Sequence, residues 1–268
     1  MNTVPVQAAW LLEARSVTRR FGGLVALDGV DLSVGRGSVH GVIGPNGAGK
    51  TTLLNLVAGV YGVSSGTLSF CARDITRHST AKRARAGIRR TFQNLKLFGE
   101  MTALENVAIG LHGETGSGFF DAVLGTPRHR REERSIRDRS MEALRFVGLG
   151  GIASMRAAAL AYGHRRLLEI ARAIVARPAL LLLDEPAAGL NITEAAHVSE
   201  LIARIRDAGT TVILVEHHMD VVMRVSDEIT VLNYGRRLAH GTPAQIQEDP
   251  GVIEAYLGRS LEDESAQA

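Results

Sequence analysis

Residues 44–51 read Gly-Pro-Asn-Gly-Ala-Gly-Lys-Thr, and this stretch constrains the fold of the chain more than any other. An apolar, β-branched run, Val39 to Ile43, comes directly before it. The segment after it, Lys50 to Ala58, has helical periodicity, and the apolar residues that share one face are Leu53, Leu56, Val57 and Val60. A strand, a glycine-rich loop of this spacing and a helix are typical of a phosphate-binding loop.

The composition of the loop follows from what a polyphosphate needs. Glycines let the backbone curl so that successive N–H groups converge, and the helix start adds unpaired donors and a positive dipole end. Lys50 is expected to meet the β and γ phosphates, Thr51 to offer a hydroxyl to Mg²⁺, and Thr52 to reach the α phosphate. We therefore expect ATP to be bound by Gly44, Pro45, Asn46, Gly47, Ala48, Gly49, Lys50, Thr51 and Thr52.

A glycine-rich turn can match this pattern by accident. At average residue frequencies, roughly one or two per cent of chains this long contain the bare pattern. The strand predicted before the loop and the helix predicted after it favour the functional interpretation.

Two later runs, Leu180 to Leu183 and Thr211 to Val215, are wholly apolar or β-branched. Strands buried on both faces have this composition, which indicates a parallel core sheet. Helical stripes come before and after the first run, and the earlier one predicts a helix from Arg165 to Ala176. The fold class predicted is therefore α/β, a P-loop NTPase core with a mostly parallel sheet.

Two segments of the chain add to this core, one at its N-terminus and one inserted within it. Leu24 to Leu27 and Val30 to Val34 stand on either side of Asp28-Gly29, a turn signal that predicts an antiparallel β part at the N-terminus. Residues from about 97 to 156 show helical patterning without buried-strand runs. We interpret 1–268 as one nucleotide-binding domain, with a helical subdomain inserted at approximately residues 95–160. Its arginine-rich stretch, 128–139, also contains acidic residues and is interpreted as a solvated helix face.

Charge and composition exclude several classes of protein. The formal net charge is only +3, so no nucleic-acid partner is predicted. The one cysteine, Cys71, can form no disulfide within the chain, which agrees with a reducing compartment. The N-terminus lacks the pattern of a signal peptide, and no apolar stretch approaches the roughly 20 residues of a transmembrane helix. The chain is not expected to cross a bilayer by itself.

Asp184 and Glu185 end the apolar run that begins at Leu180. Because α/β sheets bind ligands at the carboxyl ends of their strands, both side chains are expected beside the phosphate loop. Asp184 is predicted to hold Mg²⁺ through water, and Glu185 to orient or deprotonate the attacking water. The alternative, two acids that cap a strand at the surface, is disfavoured by the phosphate loop.

Two further positions suggest contacts with phosphate. His217 follows the strand Thr211 to Val215 and is placed to meet a terminal phosphate, with His218 as the alternative. Gly163 stands in Leu-Ala-Tyr-Gly-His, residues 160–164, where a predicted helix start offers a second anion site. A P-loop kinase would leave Gly163 and His217 without a role.

The chain resembles the ATP-binding cassette (ABC) ATPases over nearly its whole length, through the phosphate loop, Gln93, residues 160–164, Asp184-Glu185 and His217, in that order. The resemblance implies that Phe21 stacks on adenine, and that Gln93 binds ATP, senses Mg²⁺ and couples to the helical subdomain. His217 would contact the γ phosphate. It also implies that two cassettes, identical or related, enclose two ATP molecules, so that the signature, residues 160–164, caps nucleotide held by the other chain.

Two positions depart from the usual pattern of that family. The signature is commonly Leu-Ser-Gly-Gly-Gln, whereas this chain has Ala161, Tyr162 and His164 there and keeps Gly163. Asn191 stands where aspartate is usual. These departures leave the contact between two cassettes open.

The closer resemblance is to the larger cassette subunit of branched-chain amino acid uptake transporters. The segments that carry it include Phe21 to Leu24, Leu160 to Gly163, Thr91 to Asn94, Glu216 to Met219 and Ile253 to Gly258. It implies a peripheral subunit on the cytoplasmic face of the inner membrane, with permease partners and, indirectly, a substrate-binding protein. ATPases for urea, for amides or for lipopolysaccharide export remain alternatives.

A soluble cassette protein of DNA repair or translation is a further alternative, disfavoured because neither a second cassette nor a long coiled-coil insertion is visible. The apolar residues Leu95, Leu97 and Phe98 are candidates for the surface that grips a permease. Their alternative role is ordinary core of the helical subdomain.

Overall fold

The computed structural model describes residues 10–91, 96–111 and 127–256, and for residues 127–129 the backbone alone. The strands are β1 (Trp10–Phe21), β2 (Leu24–Gly35), β3 (Val39–Ile43), β4 (Ser65–Phe70), β5 (Arg73–Asp74), β6 (Ile88–Arg90), β7 (Leu180–Asp184), β8 (Thr211–Val215), β9 (Glu228–Asn233) and β10 (Arg236–Gly241). The helices are α1 (Lys50–Ala58), α2 (Thr80–Arg85), α3 (Ala103–Ile109), α4 (Pro127–Phe146), α5 (Tyr162–Ile174), α6 (Ile192–Asp207), α7 (Met219–Val225) and α8 (Pro243–Glu248), and residues 250–256 are also helical.

The larger sheet has the strand order β10-β9-β3-β8-β7-β6, and its pairs are parallel except β9 with β10. Every residue of β3, β7 and β8 is buried. Leu180 and Leu182 of β7 pack in one apolar cluster with α1, whereas Leu181 and Leu183 pack in another with α5 and α6. Burial on both faces explains the continuous apolar runs in the sequence, and the predicted α/β core is confirmed.

The smaller sheet is antiparallel, in the order β2-β1-β4-β5, as predicted for the N-terminal part. The turn predicted at Asp28-Gly29 is wrong, because both residues lie inside β2. Gly29 has φ +62°, and the pairing of β2 with β1 shifts register around it, so the dipeptide forms a bulge. The hairpin turn lies instead at Gly22 and Gly23, between β1 and β2.

Helix α1 has the predicted bounds, and Gly59, with φ +78°, ends it. Val60, which the helical periodicity groups on one face with Leu53, follows that cap and is 49% exposed. The carboxyl end of α1 is closed by the buried guanidinium of Arg83, which donates to the carbonyls of Leu56 and Val57. Helix α1 is thus fixed at the end opposite the phosphate loop.

The region between β6 and β7 is helical in the residues described. Helix α3 contacts both α4 and α5, and Val107, Leu144 and Leu168 of these three helices are buried in one cluster. Helix α5 begins at Tyr162, three residues before the predicted start at Arg165, because the extended backbone of Ala161 already forms its N-cap. That residues 95–160 form a subdomain of their own stays a prediction. Within the described ranges, no helix combines the length and apolar character needed to span a membrane.

Candidate active site

Three neighbouring strands of the larger sheet direct the candidate residues to one edge. Strand β8 lies between β3 and β7, and Val215 of β8 pairs with Val42 on one side and with Asp184 on the other. The phosphate loop follows β3, Glu185 follows β7, and His217 comes two residues after β8. Because the three strands are parallel, these segments leave the sheet at the same edge, where α/β proteins bind ligands.

The phosphate loop has a backbone that glycine alone adopts without strain. Gly44, Gly47 and Gly49 have φ values of +148°, +78° and +102°. A Cβ atom on Gly44 would lie 2.0 Å from the carbonyl oxygen of Leu232, and one on Gly49 would lie 2.7 Å from that of Ala26. Gly44 and Gly49 are therefore required both by their own conformation and by neighbouring backbone that comes close to the loop, whereas Gly47 is required by its conformation alone.

Backbone hydrogen bonds shape the phosphate loop and the start of α1. The N–H of Ala48 donates to the carbonyl of Pro45 at 3.1 Å, so the loop closes a turn on itself. The first helical bond runs from the N–H of Leu53 to the carbonyl of Gly49, and the N-cap, Gly49, has no side chain to accept others. The N–H groups of Thr51 and Thr52, in the first turn, come before the first i to i−4 bond of the helix, and such a helix start suits an anion.

Lys50 is 6% exposed, and its ammonium donates to the carbonyls of Gly44 and Pro45 at 2.7 and 2.9 Å. The side chain therefore folds back along the inside of the loop. Thr51 is exposed and Thr52 is half-buried in the first turn of α1. Their contacts with phosphate and magnesium stay predictions.

Asp184 is fully buried at the end of β7. Its Oδ2 accepts a 2.7 Å bond from the guanidinium of Arg90, whereas its Oδ1 has no hydrogen-bond partner among the described residues. Burial raises the pKa of the Asp184 carboxyl, and the neighbouring Arg90 opposes that shift. A buried acceptor without a donor fits a water molecule held by Mg²⁺, which keeps several waters when it binds with substrate phosphates.

Magnesium bound in this way needs few protein ligands. No group of three or more histidine, cysteine, aspartate or glutamate side chains able to hold a metal occurs in the described part of the chain. The magnesium ligands predicted here are the hydroxyl of Thr51 and, through a water molecule, the carboxylate of Asp184. Gln93, the third predicted ligand, lies outside the described residues.

Glu185 and His217, 32 positions apart, are in direct contact. The Nε2 atom of His217 lies 2.8 Å from Oε1 of Glu185. Glu185 has φ +49°, which is uncommon for a residue with a side chain, and its N–H is bonded to the carbonyl of Val215 on β8. His218, the alternative to His217, faces Glu216 instead, with 3.2 Å between Nδ1 and Oε2.

Glu216 is a residue to which the sequence analysis assigned no role. Its side chain is 1% exposed and accepts three backbone N–H groups, from Ala187 at 2.6 Å, His217 at 2.9 Å and His218 at 3.2 Å. It thereby joins the loop after β7 to the loop after β8. A glutamate directly after a wholly apolar strand was the available signal, because a buried carboxylate needs several donors.

Arg90 was also missed. Besides Asp184, its guanidinium contacts the side-chain oxygen of Asn55 at 2.5 Å, so that it connects β7 with α1. The position of Arg90, a charged residue at the end of the short strand β6, does not by itself indicate this role.

Phe21 ends β1 and is 36% exposed. Its ring and that of Tyr61 form a T-shaped pair with 5.1 Å between the centroids, and the guanidinium of Arg19 lies 4.4 Å from the centroid of the Phe21 ring. Arg19 is itself held by the carbonyl of Gly62 at 2.8 Å. Stacking of the adenine base on Phe21 stays a prediction.

Gly163 lies in the first turn of α5, beside the start of α6. A Cβ atom on Gly163 would lie 2.6 Å from Oε1 of Glu194. Asn191, where the family usually has aspartate, caps α6: its side chain accepts the N–H of Glu194 at 2.9 Å, and Glu194 bonds back to the N–H of Asn191. Asparagine is a good N-cap, so this departure keeps the local fold intact.

The C-terminal helix, 250–256, reaches the start of the phosphate loop. Ile43, Val222, Ile246 and Val252 form one buried cluster, against which Tyr256 packs. Burial raises the pKa of Tyr256 to about 12, although the backbone N–H of Gly44 favours the charged form. The end of the described chain therefore supports the loop from the side of β9.

Comparison with known proteins gives consistent matches. A model of the family described as "ABC transporter" matches residues 27–188, and one described as "Branched-chain amino acid ATP-binding cassette transporter" matches residues 236–261. The chain is 45% identical over 251 residues to the high-affinity branched-chain amino acid transport ATP-binding protein BraF of Pseudomonas aeruginosa, covering 93% of this chain and 98% of that protein. It is 44% identical over 251 residues to LivG of Escherichia coli K12, which has the same description, with the same coverage.

Solved structures agree. The ADP conformation of an ATP-binding cassette of an ABC transporter superposes with a TM-score of 0.82 at 32% identity, covering 94% of this chain and all of that one. A nucleotide-free cassette gives 0.81 at 31% identity, with 92% and 98% covered.

Proposed function

Since this chain belongs to the ABC transporter family of ATP-binding proteins, we propose that it hydrolyses ATP to drive the uptake of branched-chain amino acids. The observation that carries the proposed chemistry is the contact between Glu185 and His217 at the sheet edge where the phosphate loop begins. The substrate class is taken from the names of the relatives and from the C-terminal family match.

In the proposed reaction the phosphate loop and the start of α1 bind the β and γ phosphates, and Lys50 offsets their charge. Glu185 takes a proton from a water molecule whose oxygen forms a bond to the γ phosphorus. The bond from that phosphorus to the β,γ-bridging oxygen breaks, which gives ADP and inorganic phosphate. His217 holds the Glu185 carboxylate by its 2.8 Å contact and is placed to meet the γ phosphate. Mg²⁺, when bound by Thr51, Gln93 and, through water, Asp184, would offset phosphate charge.

We infer that the chain works as one of a pair of cassettes, identical or related. The start of α5 at Gly163 is a second helix N-terminus suited to phosphate, and the pair would place it over the partner's nucleotide. Closure driven by nucleotide needs roughly 5.5 kcal/mol of differential binding to go from mostly open to mostly closed. Phosphate contacts distributed over two sites are a reasonable source of that free energy.

The proposed permease contact is an apolar surface that includes Phe98, Met101 and Met155, which are 52%, 36% and 41% exposed. The segments of Met101 and Met155 are joined by the bond from the N–H of Ala103 to the carbonyl of Met155 at 2.8 Å. Exposed apolar side chains that lie together are typical of interaction sites. Leu97 is half-buried and packs against the cluster that contains Val107, and Leu95 lies outside the described residues. Through permeases the chain would be held at the cytoplasmic side of the membrane.

Uptake by whole cells tests the proposal. Cells that lack their own copy would receive the wild-type chain, the Glu185→Gln variant, or Glu200→Gln, which makes the same chemical change at an exposed position on α6. We expect uptake of radiolabelled leucine with wild type and Glu200→Gln but not with Glu185→Gln. Uptake of urea or an aliphatic amide, with none of leucine, isoleucine or valine, would reassign the substrate and leave the ATPase assignment in place.

A further inference from the structure

Tyr162 occupies a signature position at which the common form of the family has glycine, and the structure gives its side chain specific partners. Its hydroxyl donates to the carbonyl of Ala188 at 3.2 Å and accepts a bond from the guanidinium of Arg166 at 3.1 Å. Its ring lies against Gly189, where an added Cβ would come within 3.2 Å of the ring. Tyr162 therefore joins the start of α5 to the loop that follows β7.

Ala188 connects that loop directly to Glu185. The N–H of Ala188 donates to the carbonyl of Glu185 at 3.1 Å, while its own carbonyl accepts the Tyr162 hydroxyl. Ala188 is thus hydrogen-bonded both to the signature tyrosine and to the proposed general base. The other anchor of the loop is Glu216, which accepts the N–H of Ala187.

Arg166 holds the phenol from the side of the helix. It is 1% exposed and forms an ion pair at 3.4 Å with Glu169, which is equally buried. Arg172 contacts the same glutamate at 3.8 Å. Because Arg166 and Glu169 are buried and paired, the Arg166 guanidinium is held in place beside the Tyr162 hydroxyl.

We propose that Tyr162 is a positioning residue that transmits displacement of the α5 start to Glu185 of the same chain. This proposal rests on the proposed function, in which Gly163, next to Tyr162, meets nucleotide held by the partner cassette. Binding at the partner's site would then adjust the base at this chain's own site. Coupling through a single contact is worth about 0.5–2 kcal/mol, which is roughly a twofold to thirtyfold effect.

The Tyr162→Phe variant tests the link, because it removes the hydroxyl and keeps the ring against Gly189. Tyr234→Phe, at a tyrosine that is 76% exposed, is the matched control. Two measurements are made on the complete transporter: amide hydrogen exchange of residues 185–191 without nucleotide, and the ATP dependence of phosphate release. We expect Tyr162→Phe to speed exchange in that segment, to lower turnover about twofold to thirtyfold, and to bring the Hill coefficient towards 1, with unchanged nucleotide affinity.

A second variant reaches the same link from the other side. Gly189→Ala, at φ +75°, pushes a methyl group against the Tyr162 ring. Gly209→Ala, at φ +94°, adds backbone strain of the same kind, but no atom lies within 4 Å of its methyl group. Only Gly189→Ala should lower the Hill coefficient.

The outcomes separate the two proposals. Unchanged exchange or an unchanged Hill coefficient in Tyr162→Phe, while wild type hydrolyses ATP cooperatively, would overturn the role of Tyr162 and leave the proposed function standing. A wild-type complex that releases no phosphate would overturn both.

Discussion

The phosphate loop and the loops that carry Glu185 and His217 lie at the same edge of one sheet, but they are held by different means. Residues 44–52 are continuous in sequence, and positive φ angles and the neighbouring carbonyl of Leu232 determine their path. The other two loops come from distant parts of the chain, and the buried carboxylate of Glu216 joins them through backbone N–H groups. Nucleotide affinity should therefore depend on the backbone of the phosphate loop and on Lys50 inside it, and turnover on the side-chain contacts that hold Glu185 and His217.

The largest effect expected from this difference is on turnover. Glu185→Gln removes the proton acceptor but keeps the size of the side chain, so phosphate release should fall about 100-fold to 10,000-fold. Nucleotide affinity should stay within a few fold of wild type, because the phosphate loop is untouched. Lys50→Ala should have the opposite pattern, in which a loss of nucleotide affinity is the main defect. Phosphate release and a nucleotide titration on each purified variant separate the two.

Equal loss of affinity in both variants would contradict the division between the two regions. It would mean that Glu185 contributes to binding as well as to the chemical step. Glu200→Gln on the exposed face of α6 is the control for the loss of one negative charge.

The next effect concerns the shape of the phosphate loop. Gly44→Ala places a methyl group 2.0 Å from the Leu232 carbonyl oxygen, whereas Gly47→Ala, also at positive φ, meets no atom within 4 Å. Overpacking and backbone strain together should cost Gly44→Ala about 2–6 kcal/mol of unfolding free energy. Gly47→Ala carries the strain alone, and about 1–3 kcal/mol is expected. Urea unfolding of both variants measures the difference, and equal losses would show that the clash is relieved by movement of β9.

The same contrast explains what the sequence could predict. The phosphate loop and the bounds of β3, α1 and β8 follow from local patterns, since glycine spacing and apolar periodicity are properties of neighbouring residues. The prediction of a turn at Asp28-Gly29 was wrong because a residue with positive φ, here Gly29, suits a bulge as well as a turn. The contacts of Glu216, Arg90 and Tyr162 could not be predicted, because they join segments that only strand order brings together.

A smaller effect is expected when the clamp between the two loops is weakened. Glu216→Gln replaces one acceptor oxygen with an amide donor, so that at least one of three backbone N–H groups loses its partner inside the protein. Such a loss costs about 1–3 kcal/mol. We expect a lower turnover with nearly unchanged nucleotide affinity, measured as for Glu185. His217→Ala should add less to the defect in this background than in wild type, because its loop is already displaced; full additivity would contradict the clamp.

The smallest effect is on the pH dependence of stability, and it distinguishes β3, which precedes the phosphate loop, from β8, which precedes the His217 loop. Strand β3 contains His40, which is fully buried, bonded to Thr230 at 2.9 Å and stacked on His240, with Glu228 at 3.8 Å, whereas β8 contains no histidine. Burial, with His240 adding to it, lowers the pKa of His40 to about 3. The unfolded chain therefore binds a proton near pH 6.5 that the folded protein resists, so stability is full above that pH and falls as the pH drops towards 3.

This loss should be about 1 kcal/mol between pH 6.5 and 5.5. In the His40→Gln variant, the decrease in unfolding free energy between pH 6.5 and 5.5 should be smaller by about 1 kcal/mol, whatever the absolute stability of the variant. His197→Gln, at an exposed position on α6, should leave the slope unchanged. A wild-type slope equal to that of His40→Gln would show that His40 takes up its proton without unfolding. The support of the phosphate loop would then be no more sensitive to pH than the support of the His217 loop.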